Sequence, residues 1–337
     1  MPFHFPSVLK SFDICVVSLV KLYFTTKLSV ANMKIEKIFV WFTRLLPLWV
    51  ILCGIIAYFL PVIFIPFESH MELAFALTML GIGLVINYDE FIPVLRKPQM
   101  VIFGMLAQFS IMPTLGFLIA KLFHFSPHYT LALVLVGSVP GAMASNVICY
   151  LARVDVAFSI ALTSIATFCA PVLTPALTYL FAHAVVRVEF WPMFFSIVKM
   201  VITPLTVGLI LKRLFRNWVS KFESIFPSFS TIFIAFICGL VVALNQKTLI
   251  GAGLILFSAV FLHNLFGLLL GYGAGKVYRF DEKKCRTLAF HVGMQNAGLG
   301  AVLALKHFSS ETALPSVLFA TWCVITASIL AEFWSRS

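Results

Sequence analysis

The stretch "HVGMQNAGLG", residues 291–300, places a histidine, a glutamine, an asparagine and three glycines inside an apolar run near the C-terminus. Glycine weakens a helix, and the polar side chains are costly to bury in lipid. Irregular backbone is tolerated at membrane depth only where protein or a water-filled cavity surrounds it. The stretch therefore predicts a membrane helix that is interrupted at a polar site.

The composition is that of a membrane protein. Of 337 residues, 61% are hydrophobic and 11% charged, with a mean hydropathy of +1.03, whereas a soluble domain has about 25% charged residues. The net charge of +11 does not indicate a nucleic-acid partner, because the basic residues lie in short loops between apolar runs. The seven cysteines are scattered without metal-binding spacing, so we interpret them as packing residues.

Ten apolar runs are long enough to be membrane spans, each needing about 20 residues. Their predicted limits are 45–65, 72–88, 100–124, 129–152, 156–184, 193–212, 225–245, 248–275, 287–306 and 312–334. With the N-terminus in the cytoplasm, sixteen Lys and Arg residues fall inside and four outside. This bias predicts ten helices with both termini cytoplasmic.

The first residues differ from the rest. In the segment 1–32 an apolar stretch is interrupted by Asp13, Lys21 and Lys27, and no signal-peptide cleavage site follows. We expect either an amphipathic surface segment or an upstream start codon, and favour the second. The ten-helix unit is then 33–337.

A weak internal repeat suggests two inverted halves. "KLFHFSPHYTLAL" (121–133) resembles "KVYRFDEKKCRTLAF" (276–290), with a two-residue insertion before the shared Thr-Leu-Ala. This register aligns Gly141 with Gly298. The first copy runs from the outside of the membrane to the inside, and the second runs from the inside to the outside. A 5+5 inverted repeat is therefore predicted.

The fourth span carries a second interruption. It reads "GSVPGAMASNVICYLA" from Gly137, where Pro140 removes a helix hydrogen bond and Gly141 loosens the turn. Polar Ser145 and Asn146 follow directly. Two broken spans at matching places indicate a transport site. The alternative is a proline kink combined with tight glycine packing.

Further polar residues favour a cation site. Ser159 and Thr163 are four residues apart on the fifth span, so their hydroxyls share a face; such pairs also often bond only to their own helix. Gln108 lies mid-span, either in an interhelical hydrogen bond or at the site. Unwound carbonyls can coordinate a cation, and half-helix N-termini attract an anion.

The segments "ASNVICYLARVDVAFSIALTSIATFCAPVLTP" (144–175) and "HVGMQNAGLG" resemble the two crossing helices of the bile acid:sodium symporter family. The resemblance implies an all-α fold of ten helices, with spans 1, 2, 6 and 7 in a panel and spans 3–5 and 8–10 in a core. It implies a symporter of a small organic anion working by alternating access, in a bacterial inner membrane. The implied partners are that anion and the lipid bilayer, and sodium as coupling ion takes the place of a cofactor.

The resemblance also implies site residues. One sodium site would use Ser145, Asn146, Ser159 and Thr163. The other would use Gln108, Gln295 and the backbone carbonyls of Val292 and Met294. The substrate would lie near Asn296, with Met143, Pro140 and Gly141 on its side of the site.

His291 departs from the family, which usually has a glutamate there. The other acids lie at loops or span ends, and an imidazole is a poor sodium ligand. Sodium coupling through neutral oxygens, proton coupling through His291, pairing of protonated His291 with a substrate carboxylate, and an uncoupled protein with a structural His291 all remain open. A passive channel is a rival of another class. An intramembrane enzyme is disfavoured, because the sequence lacks HExxH, GxSxG and mid-membrane aspartates.

Overall fold

The computed structural model describes residues 45–86, 98–183, 186–220 and 225–336, together with Phe42. The segment 1–32 lies outside the described residues. Within them, regular structure is helical apart from one isolated antiparallel bridge. The six cysteines in this part of the chain are all free.

The helices follow the predicted apolar runs. The first half contains α1 (Leu46–Phe59), two short 3-10 helices (Pro61–Ile63 and Ile65–His70), α2 (Met71–Val85), α3 (Pro98–Leu122), α4 (Pro127–Ser138), α5 (Ala144–Leu151) and α6 (Val156–Ala182). The second half contains α7 (Phe190–Ile197), a π-helical turn (Val198–Ile202), α8 (Thr203–Leu214), α9 (Arg216–Val219), α10 (Phe226–Leu244), α11 (Gln246–Val277), α12 (Glu282–Gly293), α13 (Ala297–His307) and α14 (Ser310–Ser335).

Six helical stretches within the described residues are long and apolar enough to cross a membrane. They are Pro61–Val85, Pro98–Leu122, Val156–Ala182, Phe190–Leu214, Gly253–Val277 and Ser310–Ser335. Large apolar side chains on their outer faces are exposed, Leu254 by 80%. An exposed apolar surface of this kind is what a lipid-facing protein requires.

Two helices end in the interior of the molecule for different local reasons. α4 ends at Ser138 because Val139 precedes a proline, which disfavours helical backbone, and Val139 is extended (φ −76°, ψ 158°). α12 ends at Gly293, after which Met294 is extended (φ −113°, ψ 111°). At both helix ends the chain continues as an extended segment before the next helix begins.

These two extended segments pair with each other. Gly141 and Gln295 form the antiparallel bridge. Two backbone hydrogen bonds flank it, from Ala142 N to Met294 O (2.8 Å) and from Asn296 N to Pro140 O (2.8 Å). They satisfy groups that the helix ends would otherwise leave unpaired. We call residues 140–142 and 294–296 the paired segments.

The two copies of the sequence repeat adopt the same turn. His124 and Arg279 hold equivalent places and have left-handed backbone, with φ of 51° and 58°. Each turn closes with the two hydrogen bonds of a Schellman motif: Phe125 N to Ala120 O and His124 N to Lys121 O in the first, Phe280 N to Gly275 O and Arg279 N to Lys276 O in the second. The resemblance between 121–133 and 276–290 therefore extends to backbone geometry.

Candidate functional site

The first group of polar side chains joins α5 to α6. Ser159 Oγ donates to Asn146 Oδ1 (2.7 Å), and Thr163 Oγ1 lies 3.4 Å from the same oxygen. Asn146 Nδ2 donates to Thr163 Oγ1 (3.3 Å). Ser145, beside Asn146, has a buried hydroxyl with no hydrogen-bond partner among the described residues. We call Ser145, Asn146, Ser159 and Thr163 the hydroxyl cluster.

This cluster has the chemistry of a site for a hard cation. Its donors are hydroxyl and amide oxygens, which such cations prefer. Ser145, Ser159 and Thr163 are at most 1% exposed, so a bound ion would exchange its water shell for protein oxygens. Thr163 also donates to the carbonyl of Ser159 (3.0 Å), the local bond expected of Ser/Thr pairs on one helix face.

The second group joins α3 to the end of α12. Gln108 Nε2 donates to Gln295 Oε1 (2.7 Å), and Gln295 Nε2 donates to Val292 O (2.6 Å). Both glutamines are at most 2% exposed. Gln108 Oε1 is buried with no hydrogen-bond partner in the described part of the chain. We call Gln108, Gln295 and the Val292 carbonyl the glutamine cluster.

His291 lies against the paired segments. Its side chain is fully buried, and neither ring nitrogen has a hydrogen-bond partner among the described residues. A Cβ built on Gly141 would lie 2.6 Å from His291 Cε1 and 2.7 Å from Nδ1. The imidazole therefore fills the space that the missing side chain of Gly141 leaves.

No Asp or Glu side chain is buried within the described residues. Nor do these residues contain a group of three or more His, Cys, Asp or Glu side chains placed to hold a metal. Both polar clusters are thus built from neutral donors.

The residues expected near the substrate have different surroundings. Asn296 is partly exposed and caps α13, its Oδ1 accepting from Leu299 N (3.2 Å). Met143 is partly exposed and packs against Ile86, Leu205 and Leu209. Pro140 and Gly141 are buried in the paired segments. Of these four residues, Asn296 and Met143 therefore keep accessible surface.

Sequence reasoning missed two residues near the glutamine cluster. Asn264 on α11 donates from Nδ2 to Gly293 O (2.8 Å), and Thr326 Oγ1 on α14 donates to Asn264 Oδ1 (2.7 Å). Asn264 is fully buried. The available signal was an amide in the middle of an apolar run, the same signal that identified Gln108.

Apolar helices long enough to cross a bilayer, with polar side chains gathered where two helices end inside the protein, define a multi-pass α-helical membrane protein with an internal polar site. The chain belongs to the sodium bile acid symporter family, whose model matches residues 72–252. It is accordingly a membrane transporter and not an enzyme, and the family resemblance seen in the sequence is confirmed.

Similar proteins occur in bacteria and plants. An uncharacterized sodium-dependent transporter of Bacillus subtilis, YocS, is 39% identical over 289 residues, which is 86% of this chain and 90% of that protein. The probable chloroplastic sodium/metabolite cotransporter BASS1 of Arabidopsis thaliana is 34% identical over 262 residues, 77% of this chain and 65% of its own length. The probable chloroplastic sodium/metabolite cotransporter BASS2 of Oryza sativa subsp. japonica is 34% identical over 301 residues, 89% of this chain and 72% of its own length.

Proposed function

We propose that this protein is a symporter that couples uptake of a small organic anion to entry of sodium. The observation that carries the proposal is the hydroxyl cluster, in which neutral oxygens from α5 and α6 converge beside the paired segments. The names of the relatives support the coupling ion, since each is described as a sodium-dependent transporter or a sodium/metabolite cotransporter.

The proposed architecture is a 5+5 inverted repeat of ten membrane helices. The helix pairs α4–α5 and α12–α13 are two broken spans that cross at the paired segments. The matching Schellman turns ahead of α4 and α12 support the repeat. The panel would contain α1, α2, α7–α8 and α10, and the core the remaining spans.

The hydroxyl cluster is the proposed site of the coupling sodium. Ser145 Oγ is a buried oxygen without a hydrogen-bond partner in the described part of the chain, so an ion there would compensate an existing cost. The glutamine cluster is the weaker candidate for a second sodium, because Gln108 and Gln295 already bond to each other. Holding two cations without a buried carboxylate would be costly.

The substrate is proposed to be an anion at the N-terminal ends of α5 and α13. Helix N-termini carry partial positive charge and free N–H groups. Met143 and Asn296, the residues at these two ends, keep accessible surface. The anion would be taken up and released on opposite sides of the membrane by alternating access around the point where the two broken spans cross.

A proton-coupled or uncoupled transporter is the second candidate. His291 favours it, because this residue brings a buried imidazole to the place where the family usually has a carboxylate.

Both termini are proposed to be cytoplasmic, in a bacterial inner membrane. The excess of Lys and Arg on that side supports this orientation. A C-terminal fusion to green fluorescent protein should fluoresce in a bacterial host, and one to alkaline phosphatase should be inactive. An active phosphatase fusion would reverse the assignment.

Sodium binding is tested without a known substrate, because an ion that binds the folded state raises its stability. Thermal stability is measured in sodium and in potassium at equal ionic strength, from pH 5 to 8. At ten times its Kd, sodium should add about 1.4 kcal/mol. Ser159→Ala should abolish the gain. Ser258→Ala should keep it, because Ser258 is a partly exposed serine whose hydroxyl donates to Leu254 O of its own helix.

His291→Glu separates the two candidates. Sodium-specific stabilisation of the wild type supports sodium coupling through neutral oxygens. Absence of a sodium effect in the wild type, with one present in His291→Glu, would overturn the sodium proposal and leave the second candidate.

A further inference from the structure

Two adjacent residues of α11 bond to α3 and to the end of α12, the helices that adjoin the glutamine cluster. His263 Nε2 lies 2.9 Å from Met112 O on α3, one helical turn beyond Gln108. Asn264 Nδ2 donates to the carbonyl of Gly293, the last residue of α12. Both side chains are fully buried, and a carbonyl can only accept, so the hydrogen of this imidazole lies on Nε2. The pair thus bonds to α3, which carries Gln108, and to the end of α12, two residues before Gln295.

Thr326 sets the orientation of the Asn264 amide. A hydroxyl has one hydrogen to donate, and its shortest contact is the 2.7 Å bond to Asn264 Oδ1; the carbonyls of its own helix lie at 3.1 and 3.2 Å. With Oδ1 engaged by Thr326, Nδ2 is directed to Gly293. Loss of the hydroxyl would leave the bond from Nδ2 to Gly293 O as the one hydrogen bond of this amide among the described residues.

Close packing of α11 on α12 makes this contact rigid. A Cβ on Gly267 would lie 3.3 Å from Gly293 Cα, and one on Gly271 would lie 2.8 Å from Val292 Cβ. These glycines follow Asn264 on α11, at spacings that place them near the same face. The backbone of α11 therefore lies directly against the end of α12.

Three successive carbonyls at the end of α12 have three different partners. Val292 O accepts from the Gln295 side chain, Gly293 O from Asn264, and Met294 O from Ala142 N. Ala142 O in turn accepts from Ser145 N (3.0 Å). A chain of contacts thus runs from α14 and α11 through the paired segments to the first turn of α5, where the hydroxyl cluster begins.

We propose that Asn264, oriented by Thr326, is a positioning residue of the transport site. It holds the Gly293 peptide in one orientation. The Val292 carbonyl then continues to accept from the Gln295 side chain, and the Met294 carbonyl from Ala142 N. It need not touch ion or substrate to act. Its effect on sodium binding rests on the proposed function, whereas its effect on the conformation of the paired segments does not.

Thr326→Val tests the proposal, because valine keeps the shape and removes the donor. The matched control is Thr321→Val on the same helix, whose hydroxyl bonds to Val317 O of its own helix (3.4 Å). Thr326→Ser restores a donor and should behave as the wild type. Each variant is compared with the wild type in purified form.

The first measurement is backbone hydrogen exchange in potassium. Thr326→Val should speed exchange at residues 294–296 about two- to tenfold, the range that one lost hydrogen bond predicts. A peptide from α6 and the Thr321→Val protein should exchange as the wild type does. Unchanged exchange at 294–296 would overturn the proposal.

The second measurement is the sodium concentration that gives half of the thermal stabilisation. Thr326→Val should raise it about two- to tenfold, and Thr321→Val should not. A lower melting temperature with an unchanged half-saturating concentration would mean that the residue is merely structural, and would overturn its positioning role. If the wild type shows no sodium effect, sodium coupling fails, and the exchange result alone decides whether Asn264 holds the paired segments.

Discussion

At the scale of single residues, Gly141 and His291 depend on each other. The imidazole has the room that it occupies because Gly141 has no side chain. Protein interiors are close-packed, and inserted atoms displace their neighbours at a cost. The packing of the paired segments therefore accommodates a histidine at residue 291.

Gly141→Ala should destabilise the protein by about 1–3 kcal/mol, because its Cβ would overlap the His291 ring. Gly273→Ala is the control. Gly273 lies inside α11 with no atom within 4 Å of a built Cβ, so alanine there should be neutral or stabilising by up to about 1 kcal/mol. Thermal unfolding of both variants measures the difference, and equal stability of the two would refute the overlap.

At the scale of elements, the two repeated turns differ in how the following helix is capped. Asp281 caps α12, its side chain accepting from Lys284 N (3.0 Å). Ser126, at the equivalent place before α4, makes no side-chain capping bond. The same backbone turn therefore begins two helices with unequal local support.

Asp281→Ala should lower the free energy of unfolding by about 1 kcal/mol, the usual value of a capping side chain. Ser126→Ala should change it little, since that serine makes no capping bond. Chemical or thermal unfolding of the two variants provides the comparison. A larger loss for Ser126→Ala would contradict the assignment of caps.

The first residue of α12 also contributes a pH dependence. Hydrogen bonds from Lys276 (2.6 Å) and Arg286 (2.9 Å) lower the pKa of Glu282 from 4.5 to about 2. Because the folded-state pKa is the lower one, the stabilisation is complete above about pH 5. It is lost as the pH falls from 4.5 towards 2.

Glu282→Gln should therefore lower the melting temperature at pH 7, with a gap from the wild type that narrows between pH 4.5 and 2. The effect should be small and should shrink at high salt, because this side chain is 45% exposed. Glu332→Gln, which breaks a more exposed pair with Arg336, should have less effect. If the difference in melting temperature between the wild type and Glu282→Gln grew below pH 4.5, the predicted direction of the Glu282 contribution would be wrong.

At the scale of the whole molecule, α13 is joined to two other helices at its C-terminal end. Lys306 pairs with Glu72 at the start of α2 (2.6 Å), and the two side chains are 29% and 34% exposed. His307 Nε2 lies 2.9 Å from Ser196 Oγ on α7. In the proposed architecture these contacts join core to panel.

Glu72→Lys should destabilise this conformation, and the swap Glu72→Lys with Lys306→Glu should recover most of the loss. The coupling between the two positions should be about 0.2–1 kcal/mol, as for partly exposed pairs. Reversal of the more exposed Arg187–Glu189 pair is the control and should show less coupling. Thermal unfolding of the single and double variants gives these values, and additive effects at the first pair would refute the contact.

The sequence by itself determined the local features of this protein. Apolar runs predicted helices, and the predicted spans 100–124, 156–184 and 312–334 lie within two residues of α3, α6 and α14. Pro140 predicted a break in the helix because a proline removes a helix hydrogen bond. Helical spacing placed Ser159 and Thr163 on one face, and the cost of polar groups in lipid identified Gln108 and Gln295.

Only the tertiary structure decided which of these groups meet. The repeat register aligned Gly141 with Gly298, but alignment of two halves does not specify contact, and Gly141 pairs with Gln295. Gln108 reaches Gln295 across 187 residues of chain, and Asn264 reaches Gly293 and Thr326 on other helices. Local sequence sets where a helix begins, bends and ends. The partner across a helix interface depends on packing between distant segments, for which one sequence carries no periodic signal.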